Sequence, residues 1–369
     1  MALPNGAVTA ELTTKSGGYV AAVDGLWSQG NYGTASAYQG YYTVSLCDGK
    51  VREEHREGYA PRGAGYLTLK MTSSSQFKTG TMTWALVLPN GTTASGSAQL
   101  SKDEMKDLSG SFVECVWLPV FKQTKTDMFA SVVQIAKDAK AKAEDPQTSC
   151  HRAVTAPTVY DGEGVKRFDV LTYWDHAETA PKNGEGAYLI AYDLRGSYYD
   201  ATLKKLLLDC CCEEFHGTTE MMLSVTYPGD SETYGKVGPV AGVPVTVGQN
   251  SITLKKGLSK AENPQGVKLS FSKSTGVVSG SFKLPYVDKA TGREKTLSAT
   301  YKGVVVIGWG DGGACSACGE GNKWLPFVNG SWYFTDKEGY EVKSSKGVTR
   351  KTMSVKRGAL VKIEAPEEK

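Results

Sequence analysis

The chain has 369 residues, 40% of them hydrophobic and 22% charged, which fits an ordinary soluble globular protein of two or three domains. Its 42 basic and 39 acidic residues leave a formal charge of +3, too balanced to point to nucleic acid or an acidic membrane surface as a partner. No apolar run reaches the roughly 18 residues that cross a bilayer, so no membrane insertion is expected, and 42 glycines with 19 tyrosines favour strands and tight turns over helical bundles.

The opening MALPNGAVTAELTTK has neither the basic nor the apolar region of a signal peptide. It starts abruptly in strand-like sequence, and the expectation is a fragment of a larger protein. Residues 38–46 (YQGYYTVSL) are aromatic and β-branched with alternation, and 65–72 (GYLTLKMT) alternate cleanly, with Leu67, Leu69 and Met71 on one face. Residues 80–88 run to Pro89-Asn90-Gly91, a strong hairpin signal, and 93–100 return. The Ser101-Lys-Asp-Glu stretch reads as a one-turn helix start with a capping box. Residues 111–121 carry Trp117-Leu-Pro-Val-Phe121, and 128–135 close a first unit.

Residues 137–146 (KDAKAKAEDP) are charged and Ala-rich, which suits a linker. Strands are expected at 168–174 and 187–194, then a short helix at about 201–215, where Leu203, Leu206, Leu207 and Cys210 recur at helical spacing and Gly217 can cap the end. Further strands are expected at 221–226, 243–247, 251–254, 267–271, 276–284, 297–307 and 331–335, with one more strand pair after Tyr340 and a charged end. The expected division is a first β unit over 1–136, a connecting segment over 137–185, a second β unit with the helix over 186–340, and C-terminal strands and tail over 341–369.

Two stretches speak for a duplication. From Tyr66 and from Val267 the chain repeats an alternating strand, a Ser/Thr/Lys turn before glycine, a second strand, a hairpin and a third strand. Each is followed by Trp-Leu-Pro and an aromatic, at Trp117 and Trp324, and the offset drifts from 200, with Leu67 matched to Val267, to 207 at the tryptophans, as loop insertions allow. A meander with one apolar face must close on itself or pack on another sheet. The fold expected is therefore mainly β: two related antiparallel β-barrel or β-sandwich units in tandem, with one short helix.

The words YQGYYTVSL, GYLTLKM, FASVVQI, RAVTAP, YWDHAE, GSYYD, CCCEE, LSFSKSTGVVSGSFKLPY, YKGVVV and GSWYF together resemble a recurring module of very large β-repeat proteins in bacteria of the Planctomycetes–Verrucomicrobia group. The resemblance covers roughly residues 37–336. It implies a secreted or surface-bound β-repeat protein with adhesive, glycan-contacting or matrix roles, whose partners are glycans or neighbouring repeat modules, and it transfers no catalytic residue. Cys47 is an addition to the usual pattern.

Few constellations carry chemistry. Cys315 and Cys318 form a C-x-x-C, and Cys210 and Cys212 with His216 are the second half that a zinc site would need; disulfides, thiols and a redox pair are the alternatives. Asp175, His176 and Glu178 are candidates for an acid–base group. Calcium would need loops such as Asp161-Gly-Glu163 or Asp311, and no EF-hand pattern occurs. No cofactor is expected beyond such a zinc or calcium ion. The aromatics Trp174, Tyr198, Tyr199, Trp309 and Trp332 are candidates for stacking on sugar rings. The expected function is a non-catalytic binding or structural module; the alternatives are a glycan-active hydrolase with carboxylates in a cleft between the units, and a cytosolic zinc- or thiol-containing protein.

Overall fold

A computed structural model describes residues 7–13, 20–26, 38–47, 50–51, 61, 63–106, 112–136, 154–155, 158–160, 166–169, 172–177, 187–202, 207, 219–225, 240–287, 293–307, 327–344 and 347–364. The alternation read from the sequence becomes antiparallel pairing almost everywhere. Two short ribbons stand by themselves: β1 (Ala7–Thr13) with β2 (Val20–Leu26), and β12 (Thr158–Tyr160) with β13 (Lys166–Asp169).

The first sheet takes β3 (Gly40–Leu46), β4 (Lys50–Val51), β5 (Gly65–Met71), β6 (Thr81–Val87), β7 (Thr93–Gln99), β8 (Ser101–Lys106), β9 (Phe112–Gln123), β10 (Asp127–Ala136), β11 (Val154–Thr155), β14 (Thr172–His176), β15 (Tyr188–Tyr192) and β16 (Leu194–Tyr198). Pairing runs β10-β11-β16-β3-β5-β6-β7, and also β8-β9-β10. Since Leu100 alone separates β7 from β8, the strands go round a barrel. β14, β15 and β4 continue outward from the edge of β10.

The inward residues of β5 are Leu67, Leu69 and Met71, all fully buried, as the alternation predicts. They meet Tyr42, Val44 and Leu46 of β3, Trp84 and Leu86 of β6, and Leu118 and Val120 of β9 in one core. The Ser/Thr/Lys turn before Gly80 is a six-residue helix, α1 (Ser74–Thr79). Ser73 and Gln76 form its capping box and Gly80 its left-handed C-cap, at φ 62°. The helix expected from Ser101 is instead β8: Ser101 faces Trp117 and Asp103 faces Cys115 across the ladder with β9. Pairing with a long neighbouring strand outweighs a local capping signal there.

The second sheet takes β17 (Thr219–Val225), β18 (Val240–Val247), β19 (Ile252–Leu254), β20 (Lys268–Ser272), β21 (Val277–Val287), β22 (Glu294–Val306), β23 (Phe327–Ser344) and β24 (Gly347–Glu364). Its eight strands run in the order β19-β18-β17-β24-β23-β22-β21-β20, which nearly closes on itself. Val243, Val245, Phe282, Tyr301, Trp332 and Val361 fill the interior. Thus the protein is mainly β, with barrel-like antiparallel sheets. The duplicated stretches correspond to β5-β6-β7 and β20-β21-β22.

Sheet membership departs from the sequence boundaries in two places. Residues 187–198, expected to open the second unit, form β15 and β16, which pair with β14 and β3. The strands after Tyr340 are the outer halves of β23 and β24, so they belong to the second sheet. Residues 137–150 and most of the expected helix at 201–215 lie outside the described residues; Thr202 and Leu207 are in turns, and Leu207 is buried with its N–H on the Gln249 carbonyl.

The two barrels share a built seam. Val304 and Val306 of β22 turn outward onto Tyr66 of β5, with Val87 and Val277 beside them. Thr43 and Ser197 lie on the outer face of the first barrel, yet both are fully buried, because the second barrel covers them. Each hydroxyl has its partner across the seam: Thr43 Oγ1 donates to the Val305 carbonyl at 2.6 Å, and the Ile307 N–H donates to Ser197 Oγ at 3.0 Å. The Ala64 N–H reaches the Gly330 carbonyl at 3.3 Å. Buried polar groups are tolerated when so paired.

Candidate functional site

Where β3 and β16 meet the turn between β20 and β21, the seam opens into a pocket of about 310 Å³. Gln39, Gly40 and Tyr41 enter from the start of β3, Thr72 from the end of β5, Tyr198, Tyr199, Asp200 and Ala201 from the end of β16, and Ser274 from the second barrel. Its volume is at the small end of the range of ligand pockets, enough for one sugar ring.

Alternation decides what the tyrosines do. Tyr42 faces the first core, so its neighbour Tyr41 faces the seam, and Tyr41 Oη donates to the Thr275 carbonyl at 3.1 Å. Tyr199 is buried, its Oη donating to the Lys273 carbonyl at 2.6 Å and its ring edge-on to Tyr41, with centroids 6.0 Å apart. These two phenols clamp the 273–275 turn. Tyr198 is half-buried and packs edge-on to Tyr42 at 5.5 Å, which leaves it part of the lining. The turn is drawn in closely: Gly276 sits at φ 68°, and a side chain there would meet Tyr199 and Thr43. Likewise Gly40, at φ 143°, lies under the Tyr198 ring.

The electrostatics are those of neutral phenols around one acid. Burial raises the pKa of Tyr41; burial and then the Asp200 charge raise that of Tyr198. Asp200 Oδ1 accepts from the Thr202 N–H at 2.9 Å and from its hydroxyl at 2.6 Å, which fixes the carboxylate. The lining therefore offers aromatic surface, hydroxyls, the Gln39 amide and one oriented carboxylate.

The acid–base candidates of the sequence take a different form. Adjacent strand residues point to opposite faces, so Asp175 cannot serve His176. The partner of His176 is Asp127, directly opposite on β10. Asp127 Oδ1 accepts from His176 Nδ1 at 2.8 Å and from Trp174 Nε1 at 2.9 Å, while Oδ2 accepts from Thr126 Oγ1 at 2.9 Å. Burial works to raise the Asp127 pKa, but the hydrogen bonds from His176, Trp174 and Thr126 and the attraction of His176 outweigh it and hold it below the ordinary value. The His176 ring stacks on Tyr188 at 4.6 Å, and only 2% of its side chain is exposed. This is a buried strand-to-strand tie. Glu178 lies outside the described residues.

Trp174 and Trp332 are likewise core residues, at 0% and 1% exposure, so neither presents a ring face for stacking on a sugar. Trp309, Cys210, Cys212, His216, Cys315 and Cys318, and the calcium candidates Asp161, Glu163 and Asp311, lie outside the described residues. Among the described residues Cys47 and Cys115 form no disulfide, and no three His, Cys, Asp or Glu gather as metal ligands. No described helix is long and apolar enough to cross a membrane.

Of the aromatic candidates, the structure therefore gathers Tyr198 and Tyr199 into one pocket and adds Tyr41, Gln39, Thr72, Asp200 and Ser274. The aromatic run at 38–42 carried a local signal for Tyr41; Thr72 and Ser274 sit in ordinary turns and had none. Comparison with protein-family models, with curated proteins and with solved structures gives no match.

Proposed function

We propose that the protein is a non-catalytic binding module whose tandem barrels present the tyrosine pocket to one sugar unit of a glycan. The pocket's composition carries this reading. The ring of Tyr198 supplies a stacking surface, while Asp200, Gln39 and Ser274 offer acceptors and donors for hydroxyls. An extracellular setting, as in the repeat proteins the chain resembles, belongs to the proposal. Glycosidic cleavage uses two carboxylates facing across the scissile bond. The described lining holds one, already oriented by Thr202, which favours binding over hydrolysis.

The test is calorimetric titration of the full chain with neutral and amino-sugar oligosaccharides, beside Tyr198→Ala and Asp200→Asn. Tyr198 lies at the barrel end, so the variant retains its fold by circular dichroism. A loss of binding of at least about tenfold in either variant is expected, from one lost stacking contact or charged hydrogen bond. Binding that is unchanged in both, or absent from the whole panel, overturns the reading.

A further inference from the structure

The β9–β10 and β23–β24 hairpins occupy corresponding places in the two barrels, but they are supported differently. Along β10, Met128 to Ala130 pair with β9 on one side, and Asp127 to Ala130 pair with Tyr173 to His176 of β14 on the other. In the second barrel, β22 leaves β23 at the Thr300–Tyr333 pair, and β17 reaches only Val361 to Glu364 of β24. Beyond those points, among the described residues, 334–344 and 347–357 pair with each other alone. Eleven residues a side make an arm of roughly 35 Å. A two-stranded ribbon of that length is marginal in water without a third strand or a packed face.

The charge of the arm is divided by strand. Residues 334–357 hold seven Lys or Arg and three Asp or Glu, a formal +4 against +3 for the whole chain. All three acids, Asp336, Glu338 and Glu341, are on β23, which also carries Lys337 and Lys343 there and so has a formal charge of −1 within the arm. Within the arm β24 has four bases, Arg350, Lys351, Lys356 and Arg357, and no acid.

We propose that the arm is an assembly element completed by a second copy of this chain, with β23 of one copy added antiparallel to the outer edge of β24 of the next. β14 stands in that relation to β10 within the first barrel. The arms then point the same way, side by side, as one growing antiparallel sheet. Without a shift in height, position Glu341 of the second copy falls opposite Arg350, and positions Glu338 and Asp336 fall diagonal to Lys351 and Arg357, against the two like-charge diagonals Lys343–Arg350 and Lys337–Lys356. The self-symmetric alternative, β24 against β24, sets four bases against four. The favoured contact is heterologous, so it builds rings or open chains of copies and does not stop at a dimer.

Sedimentation velocity of the full chain over a concentration series tests this, at physiological ionic strength and at about 1 M salt, where charge attraction is screened within about 3 Å. Concentration-dependent species larger than a dimer are expected, and fewer of them in high salt. Two charge-reversed variants follow: Asp336→Lys/Glu338→Lys/Glu341→Lys, and Arg350→Glu/Lys351→Glu/Lys356→Glu/Arg357→Glu. Each alone weakens association by more than about tenfold, because both of its edges then have the same net sign. An equimolar mixture of the two associates again, which separates the proposal from simple misfolding. A wild type that is monomeric at every concentration overturns it, as do variants that assemble like the wild type, a mixture that stays monomeric, or larger species that form only on adding heparin, which would make the arm a polyanion site.

Discussion

The roots and the tips of the two corresponding hairpins are stabilised by different means. At the root of the second hairpin, Trp332 is sealed in the barrel interior, edge-on to Phe282 with centroids 5.2 Å apart. The turn end of the first is held by β14, whose Trp174 and His176 both bond Asp127. One hairpin is secured by apolar filling where it leaves the barrel, the other by a polar tie and a flanking strand near its turn. A strand pair read from sequence alone looks the same in both cases; what surrounds it sets its stability.

The largest test of this contrast is truncation of the two tryptophans. Trp332→Ala empties the centre of the second core and Trp174→Ala removes both core volume and a hydrogen bond, each at a cost of about 3–5 kcal/mol. Because the seam joins the barrels through Val304, Val306 and Tyr66, calorimetry of either variant should show both barrels melting earlier. A fall confined to one transition would mean that the seam transmits little.

Asp127 gives a smaller and pH-dependent effect. Its folded pKa is depressed, so its contribution is complete above the unfolded value of about 3.9 and is lost as pH falls through the folded value. Asp127→Ala strands the buried Trp174 and His176 donors at a cost of about 1–3 kcal/mol near neutral pH. In Asp127→Asn the acid limb of the stability profile should flatten. An unchanged limb in denaturant melts from pH 5 to 2 would show that other carboxylates dominate it.

The smallest expected effect lies in the seam. Thr43→Val keeps the shape but removes the donor to Val305, at a cost of about 1 kcal/mol in urea unfolding. A neutral result would assign the cohesion of the seam to its apolar cluster.

Much of the framework was legible in the residues. Alternation placed β5, β6 and β7, and the inward Leu67, Leu69 and Met71, because strand periodicity is a local property of the chain. The duplicated meander was legible for the same reason. Alternation could also have shown that Asp175 and His176 diverge. Local sequence did not carry the partner of His176, which is 49 positions away, or the strand at 101–106, where a capping signal lost to pairing with β9.

By itself, then, the sequence determined most of the strands, their inward faces and the mainly β class, each fixed by residues a few positions apart. The tertiary structure decided which strands share a barrel, why Thr43 and Ser197 are buried on an outward face, and how residues from 39 to 274 converge on one pocket. Those outcomes depend on pairing and burial between distant segments. They follow from how two filled barrels dock, with the buried Thr43 and Ser197 hydroxyls finding their partners across the seam.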